Sequence, residues 1–360
     1  MKNAYFLYAF VFLFLSCKSS APEQVSDYLR LGGETMGTTY HVTYRDSLGR
    51  EFLAPVDSLL IAFNQDVSTY IESSVISRFN RSAEPFDLGI SLEEAQALPI
   101  PARGDRPAEH FAANYAASLS YYHLSGGAFD PSVMPLVNFW GFGYTAKRPV
   151  ETVDSSQVDS LRLLVGMDSV LIYEGNFLKK KKPGVQLDFS AIAKGYGVDL
   201  VGVFLEDHGI RDYLVEIGGE VRARGVNEQG EAWRIGINTP TPEAGIDEIQ
   251  MAVRLPDRAL ATSGNYRNFY EVEGRKYAHT INPKTGYPEL NTLLSASVFA
   301  PTCTEADALA TACMVMGLEK AFDFINSQEN LEGYFIFGKD DGTMDVRYTS
   351  GLEEFLLKME

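Results

Sequence analysis

The stretch Tyr213-Leu214-Val215-Glu216-Ile217-Gly218-Gly219-Glu220-Val221-Arg222-Ala223-Arg224-Gly225 decides the fold class. Two strand-like runs, Tyr213–Ile217 and Val221–Gly225, lie on either side of Gly218-Gly219, which leaves room for a tight reversal and none for a helix. Trp233–Asn238 follows as a third run, and Gln250–Leu255, Phe269–Val272 and Leu294–Phe299 continue the series. Tyr334–Phe337 with Met344–Tyr348 reads as a terminal hairpin. Strands that follow one another without an intervening helix pair antiparallel, which argues against a doubly wound α/β arrangement. The expected fold is α+β: a single domain with a largely antiparallel or mixed sheet flanked by helices.

Upstream, a strand pattern starts near Leu31, with Met36-Gly37 in its first half and Tyr40, Val42 and Tyr44 alternating against polar neighbours. Helical spacing marks Val56–Val67, Ser74–Asn80 and the Ala-rich Ala108–His123. Ser125–Pro131 is a glycine-rich turn, and Lys179–Gly184 reads as a solvated hairpin turn between two strands. Gln186–Asp199 reads as a strand entering a helix, with Ser190 as its N-cap and an end near His208. A second loop is expected at Ala261–Tyr266, and a helix at Glu319–Ile325.

The chain has 360 residues, 45% hydrophobic and 22% charged, enough for a substantial core. A net charge of −17 argues against a nucleic-acid partner, because phosphate backbones select basic surfaces. Lys2 and the apolar run Ala4–Leu15 have the form of a signal peptide. Ser16-Cys17 at its end resembles a bacterial lipobox, although Phe14 stands where Leu is usual. Residues 1–16 are therefore expected to be a signal peptide, residues 17–30 a lipidated N-terminus and tether, and residues 31–360 the folded domain. Lipidation at Cys17 would hold the protein on the periplasmic side of a membrane, the inner rather than the outer one. Cys303 and Cys313 are expected as buried free thiols.

Chemistry collects in two places. Thr304-Glu305-Ala306-Asp307-Ala308-Leu309-Ala310-Thr311-Ala312-Cys313-Met314 reads as a helix with Asp307 and Thr311 one turn apart on one face. Hard oxygen ligands of this kind suit Mg²⁺ better than Zn²⁺. The helix alone also permits a plainer reading, in which Thr304 caps it and Asp307 sits in its favourable first turn. The second place is His279-Thr280-Ile281-Asn282-Pro283-Lys284-Thr285-Gly286, where a histidine ends a strand and enters a rigid turn. Such a histidine is a candidate general base. The five histidines lack zinc-site spacing, and there is no CxxC, GxSxG, Walker loop or GxGxxG in strand–helix context.

Taken together, Asp188-Phe189-Ser190-Ala191-Ile192-Ala193-Lys194-Gly195, Ile217–Glu220, Ala261–Gly264, the His279 turn and Ala306–Thr311 resemble the ApbE family of flavin transferases in order and spacing. The resemblance runs from about residue 31 to near the C-terminus. It implies Mg²⁺-dependent transfer of FMN from FAD to a Thr or Ser of a periplasmic target flavoprotein, with AMP leaving. It further implies that the side chains of Asp307 and Thr311 hold Mg²⁺ with the carbonyl of Ala191. FAD contacts would fall to Met36, Tyr70, Ala128, Phe129, Asp130, Asp188, Lys194 and Ile281, and the base would be His279. Tyr70 and Phe129 would stack on rings or pack in the core. Ser190, Glu216 and Asn282 stand where the family commonly has Gly, Asn and Asp. The same site would serve FAD hydrolysis to FMN and AMP, and a non-catalytic FAD-binding lipoprotein is a third reading.

Overall fold

The computed structural model describes residues 27–144, 154–241, 248–265, 269–272 and 275–357. The expected signal peptide and Cys17 lie outside the described residues. The main sheet has eight strands in strict chain order, every recorded pair antiparallel. They are β1 (Tyr28–Thr35), β2 (Thr38–Arg45), β3 (Tyr213–Ile217), β4 (Glu220–Arg224), β5 (Ala259–Gly264), β6 (Leu293–Ala300), β7 (Glu332–Gly338) and β8 (Met344–Tyr348). The principal helices are α1 (Leu53–Val67), α2 (Val75–Arg81), α3 (Glu109–Leu124), α4 (Ala193–Asp207), α5 (Cys303–Met316) and α6 (Leu318–Asn326). The α+β expectation holds.

Several details differ from the sequence reading. The first strand pattern is two strands, because Met36 and Gly37 take φ of 51° and 75° and turn the chain between Thr35 and Thr38. Pairing also begins at Tyr28, three residues ahead of Leu31. Ala261–Gly264 is the end of β5, not a loop, with Thr262 paired to Ser297. Lys179 and Lys180 belong to a strand rather than to the expected hairpin turn, whose tight reversal lies before them at Gly175-Asn176, while Lys181–Gly184 is an exposed turn. Lys180 donates to the carbonyls of Asn80 and Ser82 (both 2.9 Å), Lys181 to that of Asp168 (2.7 Å) and Lys182 to that of Leu163 (3.0 Å). These ammonium groups tie loops together by satisfying main-chain acceptors.

The sheet is covered on both faces, which explains why β6 is buried along most of its length. One face packs against α4 and α5 through Val198, Val201, Leu309 and Met314. The other is closed by a small sheet of Trp233–Asn238, Ile249–Leu255 and Leu356–Leu357, with Trp233, Val253 and Leu255 in the seam. The largest core cluster joins α1–α3 to the start of α4 around Phe63, Phe111 and Phe189. Cys303 and Cys313 are buried and free.

Helices α4 and α5 cap one another. Asp199 of α4 accepts from the main-chain amides of Cys303 (3.0 Å) and Thr304 (2.8 Å) and from the Thr304 hydroxyl (2.7 Å), satisfying the first turn of α5. Asp307 of α5 accepts from the Gly195 amide (2.9 Å) in the first turn of α4. The α5 N-cap is Thr302, which accepts from the Glu305 amide, rather than Thr304. In α4 the N-cap position is Ile192 with no side-chain cap, and Ser190 bonds Asp188 instead. Glycine at 195 is what permits this approach: a Cβ there would sit 2.2 Å from the Cys303 carbonyl oxygen and 2.8 Å from the Asp307 Cβ.

Gly195→Ala is therefore expected to destabilise the protein by about 1–3 kcal/mol through overpacking. Gly338→Ala, where the nearest atom is 4.0 Å away, should stay within about 0.5 kcal/mol of wild type. Denaturant midpoints of the two variants check the difference; equal midpoints would mean that the α4–α5 contact tolerates a methyl group.

Candidate active site

The face of α5 that meets α4 opens into a cleft of about 410 Å³. Asp307 and Thr311 both line it, one helical turn apart as the sequence predicts. Asp307 is 3% exposed, and burial raises its carboxyl above the usual range, with Lys194 and the Gly195 amide pulling the other way. The Thr311 hydroxyl is 3.2 Å from the hydroxyl of Ser263 on β5, so strand and helix share one polar edge. The turn before α4 adds Ala191 to the same wall, and the first turn of α4 adds Lys194.

Lys194 forms an ion pair with Glu220, the first residue of β4. Burial alone would lower the Lys194 pKa, but the carboxylates of Glu220 and Asp307 outweigh it and hold the pKa above its ordinary value. Burial raises the Glu220 carboxyl while Lys194 opposes it. On this wall, two shielded carboxylates surround one ammonium.

The opposite wall is the loop after α3. Asp130 is buried and accepts from the Ser132 amide (2.9 Å) and hydroxyl (2.5 Å), while burial pushes its carboxyl up to about 6. The Asp188 amide donates to the Pro131 carbonyl (2.9 Å), which stitches this loop to the turn before α4. Asp188 accepts from the Ser190 amide (2.9 Å) and hydroxyl (2.6 Å), and burial raises its carboxyl too. Ala128 and Ile281 contribute small apolar surface to the cleft. Phe129 also borders it, but its ring is 2% exposed and packs edge-on against Tyr121, so it belongs to the core and offers no face for stacking. Tyr70 is the reverse case: it is 74% exposed and its ring is available to a ligand.

His279 stands at the end of the Arg275–Ala278 strand and lines the cleft, with its ring edge-on to Phe142 at 6.4 Å between centroids. The turn that carries it is heavily braced. The Asn282 side chain accepts from the Lys284 amide (2.9 Å) and donates to Glu289 (2.8 Å), and the Trp140 indole donates to the Gly286 carbonyl (2.8 Å). Thr280 donates to Asn265 (2.6 Å). This is the rigid turn expected from Asn-Pro and Thr-Gly.

Met36 is the one expected contact outside this cleft. It lines a second cavity of about 790 Å³ between the β1–β2 turn and the end of α1. The two cavities share Tyr70, Ser190 and Lys194, so Lys194 stands on the wall between them. Sequence reasoning passed over Glu220 and Ser263 as site residues. For Glu220 a signal was available, since a carboxylate that opens a strand of a doubly covered sheet needs a local cation.

The donor set fits a hard divalent cation. Asp307, Thr311 and Ala191 line one wall, where two side chains and a main-chain carbonyl would supply oxygen only, and among the described residues there is no group of three or more His, Cys, Asp or Glu that could hold a metal ion. One carboxylate and two neutral oxygens suit Mg²⁺, which keeps positions for phosphate and water, and do not suit Zn²⁺.

Residues 36–335 match the ApbE family. A Vibrio cholerae protein named FAD:protein FMN transferase is 36% identical over 99% of this chain and 100% of its own length. A Haemophilus influenzae protein of the same name is 36% identical over 90% of each chain. The solved flavin transferase ApbE from Vibrio cholerae has a TM-score of 0.77 at 35% identity, covering 91% of this chain and 99% of that one. The apo flavinyl transferase ApbE of Pseudomonas stutzeri gives 0.75 at 32% identity, covering 91% and 96%. On this match over most of its length, the chain belongs to the ApbE family.

Proposed function

We propose that this protein transfers FMN from FAD to a Thr or Ser hydroxyl of a target flavoprotein, with release of AMP. The observation that carries the reading is the meeting of Lys194, the Asp307–Thr311 pair and the His279 turn in one cleft that adjoins a second cavity across Lys194. FAD has two ring systems joined by a pyrophosphate, and two adjoining cavities with a cation on the shared wall suit that shape. The relatives' name, FAD:protein FMN transferase, supports the same reading.

In the proposed reaction the acceptor hydroxyl attacks the FMN-side phosphorus, the bridging P–O bond breaks, and AMP leaves with the bridging oxygen. His279 takes the hydroxyl proton as the new P–O bond forms. Lys194 faces the pyrophosphate oxygens and offsets their charge. Asp130 and Asp188 hold the two loops that shape the ring-binding wall, and exposed Tyr70 offers a stacking face. Mg²⁺ held by Asp307, Thr311 and the Ala191 carbonyl would neutralise the phosphate charge as the leaving group departs. Transfer of this kind needs positioning more than covalent help, which suits a cleft without an activated nucleophile of its own. We further propose that Cys17 carries a lipid that holds the domain on the periplasmic side of the membrane, where its acceptor resides.

Three outcomes test this. Purified protein with FAD, Mg²⁺ and a candidate acceptor should yield one FMN adduct per AMP, read by intact mass and nucleotide chromatography; AMP without adduct would replace transfer by hydrolysis. His279→Ala should bind FAD normally while turnover falls ~10²–10⁴-fold. If FAD binding is lost with it, His279 is a contact residue and not the base. Asp307→Asn keeps an oxygen for the Gly195 amide and removes the charge. Its Mg²⁺ requirement should rise by more than the about 10–100-fold that loss of an outer-shell partner costs. An unchanged Mg²⁺ titration would remove Asp307 from the metal site.

A further inference from the structure

We infer that Glu220 is a positioning residue for Lys194: it holds the ammonium on the wall between the two cavities before the pyrophosphate arrives. The inference rests on the transfer reading above for its substrate and on the structure for its geometry.

Glu220 follows the two-residue Gly218-Gly219 turn and is 3% exposed. One of its carboxylate oxygens, Oε1, pairs with the Lys194 ammonium. The other, Oε2, is buried and has no hydrogen-bond partner among the described residues. Asp199 shows what a carboxylate buried for architecture looks like. It is fully buried and satisfied by the Cys303 and Thr304 amides, the Thr304 hydroxyl and Arg222 at 3.1 Å. Buried polar groups are satisfied as a rule, and an exception marks a position kept for something other than packing. Glu220 commits a single oxygen to a lysine whose side chain is itself 31% exposed to the cavities.

The surroundings restrict that lysine further. Its stem runs along the hairpin turn, where a Cβ at Gly218 would lie 3.4 Å from the Lys194 Cδ. Among the described residues the pair with Glu220 is its one recorded ion pair. An ammonium has three donors, so the remainder stay available to a ligand. A lysine left to its four rotatable bonds would sample many positions. Tethering it gives one, the arrangement that stabilises charge as it develops in a transition state. The tether has an opposing effect on ground-state binding, because the carboxylate competes with the incoming phosphates for the same cation.

Glu220→Gln preserves shape and removes the charge, so it separates the two effects. FAD turnover should fall about tenfold or more, since misplacement of a positioning group by ~1 Å costs ~10²-fold. The KM for FAD should stay level or fall. Glu220→Asp keeps the charge at a shorter reach and should recover part of kcat. Turnover of Glu220→Gln/Lys194→Ala should match that of Lys194→Ala alone, because the two residues act as one unit.

A second arm uses inorganic pyrophosphate as the probe, by calorimetry, and does not depend on turnover. Glu220→Gln should bind it more tightly than wild type, and the gain should vanish when Lys194→Ala is added. Wild-type kcat in Glu220→Gln, a raised KM at unchanged kcat, additive losses in the double variant, or weaker pyrophosphate binding would each overturn the inference. If wild type itself transfers no FMN, the transfer reading fails, and the pyrophosphate arm still decides the role of Glu220.

Discussion

Two carboxylates exchanged between α4 and α5 hold the centre of this protein. Asp199 reaches from α4 to satisfy the first amides of α5, and Asp307 reaches from α5 to an amide in the first turn of α4. A helix start buried without such partners would leave several N–H groups unpaired, at about 1–3 kcal/mol each. Because each helix supplies an acceptor to first-turn amides of the other, neither can move far without exposing both ends. Arg222 of β4 pairs with Asp199 at 3.1 Å, so the sheet is tied into the same exchange. The site inherits its geometry from this contact, since Asp307 and the lysine beside Gly195 lie within it.

How much of this was legible in sequence depends on how far each signal reached along the chain. Gly218-Gly219 between two strand-like runs is a local signal, and the hairpin it implies is there. The Asp307–Thr311 spacing and the Asn282-Pro283 turn are likewise local, and the cleft contains both. Met36-Gly37 was harder to read, because the alternation simply resumes after the turn and Met at φ of 51° is an uncommon choice for a reversal. Thr262, Ser263 and Gly264 have loop composition, yet β6 holds them in a strand by pairing them with Ser297, Ala296 and Ser295. Tertiary context overrode propensity there. The role of Asp199 was out of reach, since its partners lie 104 and 105 residues away.

Phe129 and Tyr70 show the same limit for ring stacking. Both are aromatics in motif positions, and nothing local separates a core ring from a ligand-facing one. Burial decides it, and burial is a property of what surrounds the loop. Phe129 sits under Tyr121 in the largest core cluster, while Tyr70 follows α1 at the open junction of the two cavities. The loop after α3 therefore borders the cleft with Asp130 bonded to Ser132 and with Phe129 as the anchor that keeps the loop in place.

The charge pattern of the cleft bears on how an acidic protein can accept a pyrophosphate. Net charge is −17, and the cleft is lined by Asp130, Asp188, Glu220 and Asp307 with one ammonium, that of Lys194. A ligand with further negative charge entering this shielded space would be repelled, because Coulomb terms grow as water is excluded. The repulsion is relieved if a divalent cation enters with the phosphates. On this reading the modest ligand set of one carboxylate, one hydroxyl and one carbonyl is suited to its task. A full protein cage would hold a cation without the nucleotide, whereas Asp307, Thr311 and the Ala191 carbonyl would leave room for phosphate oxygens. On the proposed reading, substrate and metal would each favour the other's binding: the carboxylates attract the cation, and the cation offsets the repulsion they exert on the phosphates.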